Sequence, residues 1–131
     1  MRKTCLNKVH ELARRDDRVL YIGSDPGAET LADMQSEFPE RFFIEGIAEQ
    51  NVVGMAAGLA MEGFIPFVNT ISTFLTRRCF EQVAIDLCLH ELPVRLIGNG
   101  GGTSVLGVDT FARSGIDVVP FSQATFDLLQ C

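Results

Sequence analysis

Glu49 is the residue of this chain best placed to do chemistry. It lies in Glu45-Gly46-Ile47-Ala48-Glu49-Gln50-Asn51, with Gly54-Met55-Ala56-Ala57-Gly58-Leu59 just downstream. A short apolar strand precedes it and a helix of small residues follows. A carboxylate between apolar neighbours at such a junction can hold or move a proton. The residue pattern alone first favours a plainer role, in which an acidic side chain in the first turn answers the helix macrodipole and the free backbone N–H groups. What sets the segment apart is the helix itself. Gly54, Ala56, Ala57, Gly58 and Ala60 suit close approach of another backbone or subunit, so Glu49 is expected to face a tight, dry interface.

Two more loops carry residues of interest. Gly23-Ser24-Asp25-Pro26-Gly27 offers a carboxylate at Asp25, although an Asp-Pro turn accounts for it equally well. Gly98-Asn99-Gly100-Gly101-Gly102 is rich in glycine. It has neither the Gly-Lys-Ser/Thr ending of a phosphate-binding loop nor the G-x-G-x-x-G spacing, so it reads as a flexible strand exit. Cys5, Cys79, Cys88, Cys131, His10 and His90 form no metal-ligand spacing.

The elements that must position these loops alternate helix and strand. Leu6, Val9, Leu12 and Ala13 recur at helical spacing until Asp16-Asp17. Val19 to Ile22 reads as a strand, Glu29 to Phe38 as a helix stopped by Pro39, and Phe42 to Ile44 as a second strand. A helix from Ala48 to Met61 follows, with Gly63 as its stop. Ile65 to Asn69 is a third strand, Phe74 to His90 a long helix, and Val94 to Ile97 a fourth strand. Val118 to Phe121 and Gln123 to Leu129 close the pattern as a β-like piece and a helix. Continuously apolar strands separated by helices predict an α/β fold, a doubly wound parallel sheet covered on both faces and forming a single domain over residues 1–131. Ligands of such sheets bind beyond the carboxyl ends of the strands, where all three loops fall.

Composition narrows the partners. Hydrophobic residues make up 47% of the 131 residues and charged ones 21%, the balance of a globular protein. A formal charge of −6 argues against nucleic acid. No apolar run reaches the roughly eighteen residues of a membrane span, and the polar helical start gives no secretory signal. The expected setting is cytoplasmic, with reduced thiols. Of the two basic pairs, Arg14-Arg15 is expected to complement a helix end, and Arg77-Arg78 falls within the motif region.

Taken together, Gly46 to Asn51, Gly54 to Ala60, Ile65-Pro66-Phe67-Val68 and Phe74-Leu75-Thr76-Arg77-Arg78 resemble the pyrimidine-binding domain of transketolase. The likeness is clearest over residues 2–102, and is greatest to the start of the C-terminal subunit of transketolases encoded as two subunits. The resemblance implies a thiamine-diphosphate-binding fold and a transferase that passes a two-carbon ketol unit from a ketose to an aldose. It implies that Glu49 hydrogen-bonds N1′ of the aminopyrimidine, favouring the tautomer whose 4′ nitrogen draws the proton from C2 of the thiazolium. Phe74 matches the residue that stacks on the aminopyrimidine, Ile47 one beside the thiazolium, and Asp25 an aspartate near the cofactor. Arg77 falls where it can reach cofactor or substrate. Ile71 stands where many relatives carry a further aromatic.

The same resemblance implies a divided site. Relatives hold the diphosphate and its Mg2+ through a Gly-Asp-Gly motif in a partner domain, and no Gly-Asp-Gly occurs here. A diphosphate-binding transketolase subunit, a homo- or hetero-oligomeric assembly and a sugar or sugar phosphate substrate are therefore expected. Residues 103–131 depart from the family pattern, and the loop histidine that handles substrate has no counterpart. The expectation is of a truncated, dimeric domain that is not active alone, with a non-catalytic remnant as the alternative.

Overall fold

The computed structural model describes residues 2–24 and 31–99, with residues 109, 112 and 113. Helix α1 (Arg2–Ala13) leads to strand β1 (Val19–Gly23), then helix α2 (Ala32–Glu37) and, after a single tight turn at Pro39–Arg41, strand β2 (Phe42–Ile44). Helix α3 (Glu49–Met61) and strand β3 (Ile65–Ile71) follow. A helical segment over residues 74–88 then leads to strand β4 (Arg95–Asn99). The four strands form one sheet in the order β2-β1-β3-β4, parallel throughout. Tyr21 lies opposite Phe42 and Phe67, and Val68 opposite Leu96, so β1 and β3 are central.

Alternation along the central strands builds a core on each face. Leu20, Ile22 and Val68 point to one side, where Val52, Val53, Ala56 and Ala57 of α3 meet Leu75, Cys79, Val83 and Leu87 of the 74–88 segment. Val19, Tyr21 and Phe42 point to the other, against Leu6, Val9 and Ala13 of α1 and Leu31 and Met34 near α2. Both faces are thus covered, as the apolar strands predict. The small side chains of α3 divide between two duties. Ala56, Ala57 and Ala60 are buried, whereas Gly54 and Gly58 are exposed, and a Cβ on either would meet nothing within 4 Å.

Several boundaries differ from the sequence reading for local reasons. Strand β3 runs two residues further, to Ile71, because Thr70 and Ile71 still find partners in Gly98 and Asn99 of β4. Gly98 and Asn99 accordingly belong to a strand and not to a loose exit. The absence of a side chain at Gly98 matters, since a Cβ there would lie 2.6 Å from the Ser72 hydroxyl oxygen. The long helix expected from Phe74 is broken into a π-helical stretch (Phe74–Arg78), a turn of α-helix (Phe80–Gln82) and a second π-helical stretch (Val83–Cys88). Cys79 separates the first two with φ −127, and its thiol answers the loosened backbone by donating to the carbonyl oxygens of Phe74 (3.2 Å) and Leu75 (3.5 Å). Gly63 ends α3 with φ +93, as its position suggested. The pieces read at Val118 to Phe121 and Gln123 to Leu129 lie outside the described residues.

Arg14 does more than complement a helix end. Its guanidinium grips Glu37 of α2 through bonds of 2.6 to 3.0 Å, and His10 Nε2 lies 2.9 Å from the same carboxylate. The Arg14 hydrogen bonds, with that of His10, hold the Glu37 carboxyl down to about 2. Nearby, Arg41 donates to the carbonyls of Ala13 and Asp16, fastening the approach to β2 onto the end of α1.

Candidate active site

The chain reverses its direction of winding between β1 and β3, with β2 on one side and β4 on the other. At such a switch point the loops leaving neighbouring strands diverge and open a crevice at the carboxyl edge. A polar seam floors that edge. Asn69, 1% exposed, donates to the Tyr21 hydroxyl at 2.8 Å, and Ser24 donates to the Thr70 hydroxyl at 3.0 Å. Thr70 and Ser72 are buried beside them.

Glu49 enters above this edge from the loop after β2. Gly46, at φ +66, turns the chain in a conformation that a side chain resists, and Ala48 caps α3, so that Glu49 is its first residue. The carboxylate is only 5% exposed. Arg78 Nη1 donates to Glu49 Oε2 at 3.2 Å. The other oxygen, Oε1, is buried and has no hydrogen-bond partner among the described residues. Glu49 borders an open cavity of about 320 Å³, together with Ile47, Ala48, Gln50, Asn51 and Arg78.

The π-helical turn positions the far wall. Phe74 and Arg78, four residues apart, share one side of it, and the Arg78 guanidinium carbon stands 3.7 Å from the centre of the Phe74 ring. Gln50 reaches across from α3 and donates to the Arg78 carbonyl at 2.9 Å, tying the two elements together. Beneath them Cys79 is fully buried, and desolvation, aided by the Glu49 charge, pushes its thiol up to about 11. That thiol stays protonated and is no nucleophile.

The residues singled out from sequence fall as follows. Glu49 and Ile47 share the cavity, and Ile47 is 82% exposed at its rim, an apolar side chain held out to solvent. Phe74 is part-buried and is linked to Glu49 through Arg78. Arg77 is exposed and is not among the cavity-lining residues. Asp25 lies outside the described residues. Sequence reasoning missed Arg78 as the residue that meets Glu49. Its spacing of four from Phe74 carried the signal, since side chains four apart on a helix share a face. No group of three or more potential metal ligands occurs among the described residues, and no helix there is long and apolar enough to cross a membrane.

Fold and site together define a parallel α/β domain that presents a buried, half-satisfied carboxylate at the switch point of its sheet. The family profile described as "Transketolase, pyrimidine binding domain" matches residues 1–125, and the chain belongs to that family. The match runs into the segment after Gly102 that reads as divergent. Among curated relatives, 1-deoxy-D-xylulose-5-phosphate synthase of Clostridium perfringens (strain 13 / Type A) is 43% identical over 112 residues, covering 85% of this chain and 18% of its own length. The synthase 1 of the same name from Geobacter sulfurreducens is 44% identical over 107 residues, covering 81% and 16%. A solved structure described as a split gene transketolase, an inactive beta4 tetramer, aligns with a TM-score of 0.68 at 36% identity, covering 74% of this chain and 32% of that one. The chain thus spans less than a fifth of the length of these curated relatives.

Proposed function

We propose that this chain forms the aminopyrimidine side of a thiamine-diphosphate site in a transferase of two-carbon units, with the diphosphate and its magnesium held by a domain outside the chain. The observation that carries this reading is the buried Glu49 carboxylate, whose Oε1 has no partner among the described residues, in the lining of a cavity that an exposed Ile47 and Arg78 also border. A heterocycle with one protonatable ring nitrogen fits that donor set, since it answers the unpaired oxygen with a single hydrogen bond and needs apolar surface for its faces.

Bound thiamine diphosphate supplies the nucleophilic carbon that takes up and hands on the two-carbon unit. The residues of the chain do the rest. Glu49 Oε1 holds or releases a proton at the ring nitrogen, and its burial makes that contact far stronger than it would be in water. Ile47 excludes water at the rim, and Phe74 offers a flat aromatic face. Arg77 and Asp25 are proposed to reach the cofactor or substrate from the edges of the site. The exposed apolar side chains Ile47, Ile85 and Leu89 are where a partner subunit would add cover.

A transketolase-type exchange between ketose and aldose is the reaction that the Glu49 motif suggests. The identity of 43 to 44% to 1-deoxy-D-xylulose-5-phosphate synthases supports a second reading, in which the two-carbon unit ends in that deoxysugar phosphate. Mixing the chain with a diphosphate-binding transketolase subunit, thiamine diphosphate and magnesium tests both, with ketose transfer and deoxyxylulose phosphate formation assayed side by side. Activity that falls about a hundredfold or more in Glu49→Ala is the expected result. Activity untouched by that substitution refutes the role of Glu49, and a folded mixture that binds no cofactor favours the non-catalytic remnant.

A further inference from the structure

Arg78 makes from within the chain the two contacts that a flat, amino-bearing ring would make. Its Nη1 donates to the Glu49 carboxylate at 3.2 Å, and its guanidinium carbon stands 3.7 Å from the centre of the Phe74 ring. A guanidinium is itself planar, delocalised and edged with N–H donors, so it resembles an aminopyrimidine in the chemistry it shows to a carboxylate and an aromatic face. This one side chain links Phe74 to Glu49. We propose that Arg78 is the occupant of the ring slot between Phe74 and Glu49, and that a planar aminoheterocycle binds by exchanging places with it. The inference rests on the aminopyrimidine reading above.

The geometry makes the exchange cheap. The Arg78 side chain is 48% exposed, against 5% for Glu49, so the guanidinium can turn into solvent while the carboxylate stays in place. Its main chain does not have to follow, because Gln50 holds the Arg78 carbonyl at 2.9 Å. Nor does the incoming ring leave a buried charge exposed to nothing. It takes over the contact to the carboxylate, and Oε1, already without a partner, offers a second acceptor beside Oε2. Arg78 thus sets a threshold that a ligand must exceed: anything that cannot both stack and donate leaves the guanidinium where it is.

The test is calorimetric titration of the full chain with thiamine's aminopyrimidine half, as its hydroxymethyl derivative, for wild type, Arg78→Ala, Arg78→Lys and Glu49→Ala. Losing a part-exposed ion pair and a cation–π contact should raise affinity about five- to tenfold in Arg78→Ala. Lysine can reach the carboxylate but cannot lie flat on Phe74, so Arg78→Lys should fall between the two. In parallel, the Arg78 side-chain nitrogen resonances of the wild type should move to free-solvent positions at saturation. Unchanged or weaker binding in Arg78→Ala, Arg78 resonances that do not move, or no binding by wild type and Arg78→Ala alike would each overturn the exchange. Probe binding that survives Glu49→Ala points elsewhere, to failure of the aminopyrimidine reading. Circular dichroism and a melting curve on each variant separate these results from loss of fold.

Discussion

Gly23→Ala probes the floor of the site without touching any residue assigned to chemistry. A Cβ at Gly23 would lie 2.5 Å from the Tyr21 hydroxyl oxygen and 2.7 Å from two of its ring carbons. Ordinary carbon contacts sit near 3.5 to 4.0 Å, so the ring must retreat by about 1 Å. It has nowhere to go. Tyr21 is 0% exposed, stacks on Phe42 at 4.9 Å between centroids, and accepts the Asn69 bond at 2.8 Å. Overpacking of this kind costs about 1–3 kcal/mol, and stretching the Asn69 bond adds about 1 kcal/mol. Relief of the glycine's backbone entropy returns roughly 0.5–1 kcal/mol. The net expectation is a loss of about 2–3 kcal/mol, read as a lower urea midpoint with unchanged slope at fixed chain concentration. In a Tyr21→Leu background the ring atoms are gone, and the same Gly23→Ala step should cost less than about 1 kcal/mol. An equal cost in both backgrounds, or a cost under about 0.5 kcal/mol in the wild type, would show that the Tyr21 ring is not what excludes the side chain.

Gly46→Ala should cost about 1 kcal/mol through its φ of +66 alone, because an added Cβ meets nothing within 4 Å; Gly46→Asn should cost less, and urea unfolding of the two compares them. Glu37, paired with Arg14 and His10, has its folded-state value held down to about 2 from an ordinary 4.5. Its contribution is therefore complete above pH 4.5 and lost as the pH falls towards about 2, so wild-type stability should drop more steeply across that window than that of Glu37→Gln. Parallel curves would remove the pair from the account. Cys79, buried and raised to about 11, should resist alkylation at pH 8 until the chain unfolds, and mass spectrometry of the labelled peptide would detect any native-state reaction.

The doubly wound sheet was legible because its strands are continuously apolar, and strands buried on both faces leave no other reading. Glu49 was legible as a first-turn carboxylate after a strand, and Gly63 as a helix stop. The interruption of the 74–88 segment was not legible. Its residues have ordinary helical character, and the break depends on the Cys79 thiol finding carbonyls that only the folded backbone exposes. Arg78 was legible only in part, since four-residue spacing sets it beside Phe74, whereas its contact with Glu49 of α3 joins segments distant in sequence. Gly23 looked like the first residue of a turn, although its space is set by the tyrosine two residues back, which strand alternation places on the same face. Gly98 likewise read as a loop residue until Ser72 of the neighbouring connection was seen to press against it. Close approaches between elements distant in sequence leave no trace in local spacing.

The contrast between two polar groupings at the carboxyl edge argues for which of them acts. Asn69, Tyr21, Ser24 and Thr70 are joined donor to acceptor across the central strands, as a buried polar network must be if it is to hold a fold together. Glu49 breaks that rule. It is as buried as the network, and among the described residues it leaves one oxygen unpaired while its one side-chain partner is a half-exposed arginine. Gln82 also has an unpaired oxygen, but a neutral amide costs much less to bury than a carboxylate. Packing does not require an acid here, since glutamine has the same shape and no charge to desolvate. A stabilising role therefore explains the Asn69–Tyr21 seam and fails for Glu49. A carboxylate kept short of partners beside an open cavity, at the carboxyl edge of the sheet, is positioned for a ligand that supplies the missing bond.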